Sequence, residues 1–249
     1  MKSIIYKITI ALYLLIFCAA CNKEEDNNYV IPADKRYLST VTNDKGETLL
    51  TVTYYDDKKI KMISGKAISY RYLYNDEGNV ATVLISAPDG KIENNYIYTN
   101  GKISSYTYNG TNYPVTYNAA ENSYTFNYLS DDLIKLFFDK ENNCSKMITD
   151  DITIYFFYEN NRKGCLFNGS NMGLTNFIGS LPTFLFFQYT LNVTTIPLES
   201  IDGPVSNKLT NEYDSANFLV KSTNKSTSFD ENGDMKTTES VMNYHYIEL

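Results

Sequence analysis

Few side chains in this sequence of 249 residues are of a type that could carry out chemistry, and histidine is the scarcest of them. The only histidine is His245, so a triad of nucleophile, base and orienting group has one possible base. His245 lies between Tyr244 and Tyr246, and strand alternation would place it on the face opposite both rings. A packed or solvated strand histidine therefore explains this residue better than a general base does.

Carboxylates are more numerous, and some form adjacent pairs such as Asp56-Asp57 and Asp131-Asp132. Adjacent residues of a strand point to opposite faces, whereas glycosidases place two carboxylates across one cleft. The acidic turn at residues 230–234 lacks the glycine and glutamate of a calcium-binding EF-hand loop, and zinc would need several His or Cys ligands. We therefore expect no enzyme activity, no metal and no cofactor.

The clearest chemical indication is Cys21, which follows a segment typical of an export signal. Lys2 and Lys7 accompany an apolar run over residues 8–20, which is shorter than the roughly 20 apolar residues of a transmembrane helix. The run ends in two alanines before the cysteine and so resembles the lipobox of bacterial lipoproteins, although Cys18 stands where leucine is usual. We predict cleavage before Cys21 and lipidation of Cys21, palmitate included, which would anchor the protein in a membrane. An ordinary signal peptide cut elsewhere, or an uncleaved anchor, is the alternative.

The residues after the cysteine indicate a direction of export. The residues concerned are Lys23, Glu24, Glu25 and Asp26. They are similar to the surface-export signal of Bacteroidetes lipoproteins, and this resemblance implies the outward-facing leaflet of the outer membrane and exposure at the cell surface. The alternative is a solvated acidic tether. Two of the 22 basic residues lie in the signal and none of the 29 acidic residues does, so the mature chain is strongly acidic and should not bind nucleic acid.

Strand-like alternation runs through most of the mature region. Tyr70, Tyr72 and Tyr74 alternate with other residues, and the windows at 113–117 and 152–158 do the same. A period of two over short windows predicts strands with two distinct faces. Turns rich in Asp, Asn, Gly and Lys separate these windows, and Asn and Gly supply the positive φ angles of tight hairpins. The pattern predicts an all-β fold, an antiparallel meander of repeated hairpins that forms a curved or barrel-like sheet.

One stretch interrupts this pattern. Residues 172–187 have no period of two, place apolar residues near helical spacing and are divided by Pro182. We predict a short helical or apolar insert that fills the core, and a ligand-gating plug is the alternative. The predicted organisation is a signal peptide at 1–20, a flexible acidic tether at 21–34, and a single β-rich domain at 35–249 whose insert spans 169–200.

Two cysteines remain in the mature domain, Cys144 and Cys165. In a meander each would open a strand at the same end of the sheet, with one strand between them. Two strand spacings are about 9.5 Å, which exceeds the roughly 7 Å between Cα atoms that a disulfide tolerates. We therefore predict that no disulfide joins them.

These features together resemble a Bacteroidetes lipoprotein family known as a domain of unknown function with a porin-like fold. The cysteine with its acidic leash, the aromatic hairpins over residues 54–157, and the break at 159–163 before the last strands carry this resemblance. The hairpin units are also loosely similar to tyrosine-aspartate repeats. The resemblance implies an all-β, barrel-like sheet and no catalytic residue. The alternating windows are shorter than the strands of about 9–11 residues in membrane barrels, so we interpret "porin-like" as a shape and not as a pore.

Tyrosine is the most distinctive residue, with 23 copies and no tryptophan in the chain. Four tyrosines on two consecutive strands form a possible ligand platform on which sugars could stack; they are Tyr96, Tyr98, Tyr106 and Tyr108. Cross-strand tyrosine pairs also stabilise sheets, and that is the alternative explanation. Separately, Asp214-Ser215-Ala216 matches the short acceptor pattern of Bacteroidetes O-glycosylation at a predicted turn, which makes Ser215 a candidate glycosylation site.

Two functional hypotheses follow from these observations. The first is a non-enzymatic, lipid-anchored surface protein that binds or presents a glycan, a peptide or a protein partner. The second is a carrier or chaperone that holds an apolar ligand inside a β-barrel, with residues 172–187 as its lid. A hydrolase is a third hypothesis.

Overall fold

The computed structural model describes residues 31–108, 110–127, 133–140, 143–150, 152–158, 161–169, 174, 193–200, 203–229 and 234–249. The chain divides into two compact units, Met1–Pro32 and Ala33–Leu249. In the described residues, no helix has the length and apolar character needed to cross a membrane.

Seventeen strands and one 3₁₀ turn, η1 (Ala33–Lys35), make up the described part of the second unit. The strands are β1 (Arg36–Thr42), β2 (Thr48–Tyr54), β3 (Ile60–Gly65), β4 (Ser69–Tyr74), β5 (Val80–Ala87), β6 (Gly90–Thr99), β7 (Lys102–Tyr108), β8 (Thr111–Asn118), β9 (Ser123–Asn127), β10 (Leu133–Phe138), β11 (Cys144–Ile148), β12 (Ile152–Tyr155), β13 (Phe157–Tyr158), β14 (Val193–Ser200), β15 (Gly203–Tyr213), β16 (Leu219–Phe229) and β17 (Met235–Glu248).

All of these strands belong to one antiparallel sheet in which neighbours in sequence are neighbours in space. The short strands β12 and β13 both pair with β14 and act as one interrupted strand. β1 pairs with β2 on one side and with β17 on the other, so the ladder returns to its first strand. The prediction of an all-β antiparallel meander with a barrel-like sheet is therefore confirmed.

The two faces of the sheet differ in chemistry. Along β6, Tyr96 is buried, whereas Lys91, Glu93 and Thr99 on the opposite face are exposed. Apolar and aromatic side chains on the inward face form one core cluster. The largest fully buried members of the domain are Tyr106, Phe126, Phe218, Leu38, Ile60, Ile63, Leu136 and Leu166. Outward positions hold mostly Thr, Asn, Ser, Lys and Glu, with scattered exceptions such as Ile97.

Several turns repeat one geometry, in which a polar residue opens a five-residue loop. Asn75 Oδ1 accepts the backbone N–H of Asn79, and Gly78, the fourth residue, has a φ of 80°. The same side-chain bond recurs from Asn43 to Glu47 and from Asp214 to Phe218. The fourth residues of those turns also have positive φ and are Gly46 and Asn217. The predicted role of Asn and Gly in these turns is therefore confirmed.

Tyrosine hydroxyls fasten the ends of several hairpins. Tyr74, the last residue of β4, donates to the carbonyl of Ile60, the first residue of β3, at 2.8 Å. Tyr98 near the end of β6 donates to the carbonyl of Val80 at the start of β5, also at 2.8 Å. Equivalent bonds join Tyr54 to Leu38, Tyr158 to Cys144, and Tyr246 to Leu219. Part of the high tyrosine content is therefore explained by these bonds between strand ends.

Two expectations about the second half of the domain need correction. The insert assigned to 169–200 is too long, because Val193–Ser200 forms β14 and pairs with β15. Pro197 lies within this segment, and because proline is uncommon inside strands the sequence did not indicate β14. Apart from Leu174, which is helical and buried, the predicted helical segment and lid at 172–187 lie outside the described residues. Cys165 does not open a strand, since it lies in a turn after the isolated bridge between Lys163 and Phe218.

Candidate functional site

An open pocket of about 540 Å³ lies at the end of the sheet where β2 turns into β3 and β4 turns into β5. Strand pairing brings its two halves together, because β3 hydrogen-bonds to both β2 and β4. The pocket therefore joins residues from two turns that lie about one repeat apart in the sequence. Its lining consists of Tyr55, Asp56, Asp57, Lys59, Leu73, Tyr74 and Asn75.

Two half-buried tyrosine rings form the apolar part of this pocket. The centroids of Tyr55 and Tyr74 are 6.1 Å apart, and the ring planes meet at 82°. The Tyr55 hydroxyl donates to the carbonyl of Tyr72 at 3.0 Å, and the Tyr74 hydroxyl is held by Ile60. Burial raises the pKa of Tyr74 above its ordinary value, so this hydroxyl stays protonated. Both rings are thus fixed in position by bonds to the backbone.

Charged groups surround these rings. Lys59 Nζ lies 2.7 Å from Asp57 Oδ2, and this hydrogen bond lowers the pKa of the Asp57 carboxyl. The ammonium of Lys59 is 5.4 Å from the Tyr74 ring centroid, and that of Lys61 is 5.6 Å from the Tyr55 ring centroid. Asp56 is exposed. The pocket therefore combines fixed aromatic surface with hydrogen-bonding groups of both signs.

The four tyrosines of the predicted ligand platform lie on the inward face of β6 and β7. Tyr96 and Tyr106 are paired in register and are 5% and 0% exposed. Tyr98 and Tyr108 are half-buried and pack against the same core. Buried rings of this kind stabilise the sheet, as the alternative explanation proposed, and offer no outer surface for stacking a sugar. The sequence placed the four on two consecutive strands but could not show which face of the sheet they occupy.

The two cysteines are both buried and no disulfide joins them, as predicted. Burial raises the pKa of the Cys144 thiol and raises that of Cys165 to about 12. Reactive cysteines have lowered pKa values, so neither thiol is suited to nucleophilic chemistry. His245 is exposed on the face opposite Tyr244, with its Nε2 3.0 Å from Thr42 Oγ1. The expectation of a solvated strand histidine is therefore confirmed.

The remaining predicted positions lie in a turn or before the described residues. Ser215 is exposed at the turn that Asp214 opens, where an attached glycan would project from the sheet; glycosylation itself stays a prediction. The lipidation site Cys21 and the export-signal residues lie outside the described residues. Sequence reasoning missed the pocket, because Tyr55 and Tyr74 look like ordinary strand-end aromatics.

Raising the pH beyond about 10 should destabilise the folded sheet. Burial raises the pKa of Tyr124 to about 12 and the pKa values of Tyr54 and Tyr98 further. In the unfolded chain tyrosine ionises near 10, so above that pH the folded state binds more protons than the unfolded state. The stability from these groups is therefore complete below pH about 10 and is lost as the pH rises towards the folded values.

Tyrosinate absorbance and far-ultraviolet circular dichroism, followed together in an alkaline titration, measure this effect. We expect part of the tyrosinate signal to appear only together with loss of strand signal. If all tyrosines titrate near pH 10 while the strand signal stays intact, the burial of these hydroxyls is contradicted.

Comparison with known proteins bears on the fold. No known protein-family profile matches the sequence, and no curated protein matches it. Among solved structures, the chain is similar to a porin-like protein from Bacteroides uniformis, with a TM-score of 0.50 and 11% sequence identity over 86% of this chain and 97% of that chain. At this level of identity the likeness supports the fold alone, and it agrees with the barrel-like sheet.

Proposed function

We propose that this protein is exported, anchored in the outer membrane by lipid on Cys21, and displayed at the cell surface, where it binds a ligand without catalysing a reaction. The apolar run before Cys21 supports the anchor, and the acidic residues after it support outward display. The observation that carries the binding role is the Tyr55–Tyr74 pocket, in which bonds to the backbone hold two aromatic rings in fixed positions beside charged side chains. The described residues of its lining include no histidine or cysteine.

The distribution of side chains over the two faces of the sheet supports a lipid anchor rather than a spanning barrel. A membrane barrel presents an apolar band outward and a polar interior. In the described residues the order is reversed, with Tyr, Val and Ile inward and Lys, Glu, Thr and Asn outward. A sheet with this outer surface has little affinity for hydrocarbon, so the lipid would supply the membrane contact.

A carrier is the second candidate, and one side chain favours it. Asn94 is fully buried on the inward face of β6, and neither its amide nitrogen nor its amide oxygen has a hydrogen-bond partner among the residues that the structure describes. A buried amide without a partner is costly, so a molecule inside the sheet would relieve it. Native mass spectrometry of the purified protein, which detects a bound small molecule, distinguishes the two candidates.

The Cys21→Ala variant should lose all incorporation of radiolabelled palmitate and leave the membrane fraction. The thioether of this cysteine is the predicted attachment point, and the outward face of the sheet is polar in the described residues, so the mature variant without acyl chains should not stay bound. Metabolic labelling and fractionation of cells expressing the full chain measure both effects.

Cys18→Leu is the matched control, because it removes the neighbouring cysteine and supplies the residue that is usual at that lipobox position, so it should keep both label and membrane association. Label retained by Cys21→Ala would contradict the anchor. Surface display is tested separately by adding protease to intact cells. Replacement of Lys23, Glu24, Glu25 and Asp26 by serine should protect the protein from digestion without removing the lipid.

A further inference from the structure

We propose that the pocket between the β2–β3 and β4–β5 turns binds the ring of a neutral carbohydrate. This inference rests on the proposed binding function and names its ligand class. Tyr55, Leu73 and Tyr74 are half-buried and supply the apolar part of the pocket lining. Because both tyrosine hydroxyls are bonded to backbone carbonyls, the rings offer carbon surface and not hydroxyl groups. The two ring planes are nearly perpendicular. A ligand ring that stacks on one tyrosine would therefore contact the other tyrosine at the ligand's edge.

The polar groups of the lining suit the hydroxyls of a sugar. Asp56 is exposed and makes no hydrogen bond or ion pair with the described part of the chain, so its carboxylate can accept bonds from two neighbouring hydroxyls. The Asn75 side-chain oxygen caps its own turn, which leaves its amide N–H groups to donate. Lys59 adds an ammonium donor held by Asp57. Acceptors and donors thus lie beside one apolar surface, as recognition of a polyhydroxylated ring requires.

Charge excludes the other obvious ligand classes. The described lining holds two aspartates and one lysine, and Lys61 adds one ammonium beside it, so the pocket has no excess of positive charge to hold an anion. A cation drawn to the aromatic rings would meet the ammonium groups of Lys59 and Lys61, which lie 5.4 Å and 5.6 Å from the ring centroids and repel a second positive charge. A neutral, amphipathic ring with several hydroxyls satisfies the pocket without either conflict.

The test uses the full lipidated chain, purified in a detergent without a sugar headgroup and titrated with glucose, galactose, mannose and N-acetylglucosamine. Saturation-transfer NMR and calorimetry should show saturable binding of at least one of them. Asp56→Asn should weaken that binding about tenfold, the usual scale for a hydrogen bond to a charged group. Asp76→Asn, the matched control on the neighbouring turn but outside the pocket lining, should change it by less than about twofold. Tyr55→Leu, which removes one ring, should weaken binding at least as much as Asp56→Asn.

Three probes complete the test: sorbitol, which has hydroxyls but no ring, inorganic phosphate and tetramethylammonium. The proposal is overturned if no sugar binds, if either ion binds more tightly than the sugars, or if Asp76→Asn weakens binding as much as Asp56→Asn. Weaker binding of sorbitol than of the sugars supports the stacking role of the tyrosine rings. If the protein is lipidated at Cys21 and displayed at the cell surface but no sugar binds, only the carbohydrate assignment is wrong. If Cys21 is not lipidated, the proposed function itself is wrong.

Discussion

Asp214→Asn should destabilise the folded sheet by about 3–5 kcal/mol, because it leaves the guanidinium of Arg36 buried without its counter-charge. Arg36 is 5% exposed and forms an ion pair with Asp214. Its guanidinium also lies 4.8 Å from the Phe218 ring centroid and 5.8 Å from that of Tyr246. These rings keep water from solvating the charge, so water does not replace the compensation that the carboxylate supplies. Equilibrium unfolding in urea measures the difference in free energy.

Asparagine at this position preserves the turn while it removes the charge. Asp214 Oδ1 accepts the backbone N–H groups of Ala216 and Phe218, and an asparagine oxygen makes the same type of bond at Asn75. Asn75→Asp is therefore the matched control; it places a carboxylate in an equivalent turn that has no buried arginine, and we expect a change within about 0.5 kcal/mol. Equal losses in the two variants would show that the turn and not the ion pair is responsible for the stability.

The local architecture could be predicted from the sequence because its signals lie within a few residues of each other. The alternation of Tyr70, Tyr72 and Tyr74 identified β4, and the Asn75 to Gly78 spacing identified the turn after it. Strand order also followed, since short turns between alternating windows leave a meander as the simplest arrangement. The fold class needed no long-range information.

Long-range contacts could not be predicted in this way. Arg36 and Asp214 are 178 residues apart and meet only because β17 pairs with β1 and carries the β15–β16 turn alongside. The pocket likewise depends on the register of β3 with β2 and β4, which brings Tyr55 against Tyr74. Alternation also leaves the identity of each face undecided. For this reason the sequence grouped Tyr96 with Tyr106 correctly but could not show that the group faces inward.

Tyr106→Ala should destabilise the protein by about 3–5 kcal/mol, the usual cost of deleting a large aromatic side chain from a core. Tyr106 is fully buried, stacks on Tyr113 at a centroid distance of 5.1 Å and meets the edge of Phe126 at 6.1 Å. Its hydroxyl donates to the carbonyl of Asn127 at 2.6 Å, so truncation also leaves an acceptor without this partner. Urea unfolding again measures the loss.

Two further variants separate the causes of this effect. Tyr106→Phe keeps the ring and removes the hydroxyl, and should cost about 1–3 kcal/mol. Tyr108→Ala truncates a half-buried tyrosine two residues along the same strand and should cost less than Tyr106→Ala, about 1–2 kcal/mol. A tyrosine ring in the core must be buried, whereas a ring on which a ligand stacks must be exposed. The Tyr106→Ala variant therefore decides between these two roles. If Tyr106→Ala kept its stability and lost sugar binding, the platform on β6 and β7 would replace the Tyr55–Tyr74 pocket as the binding site.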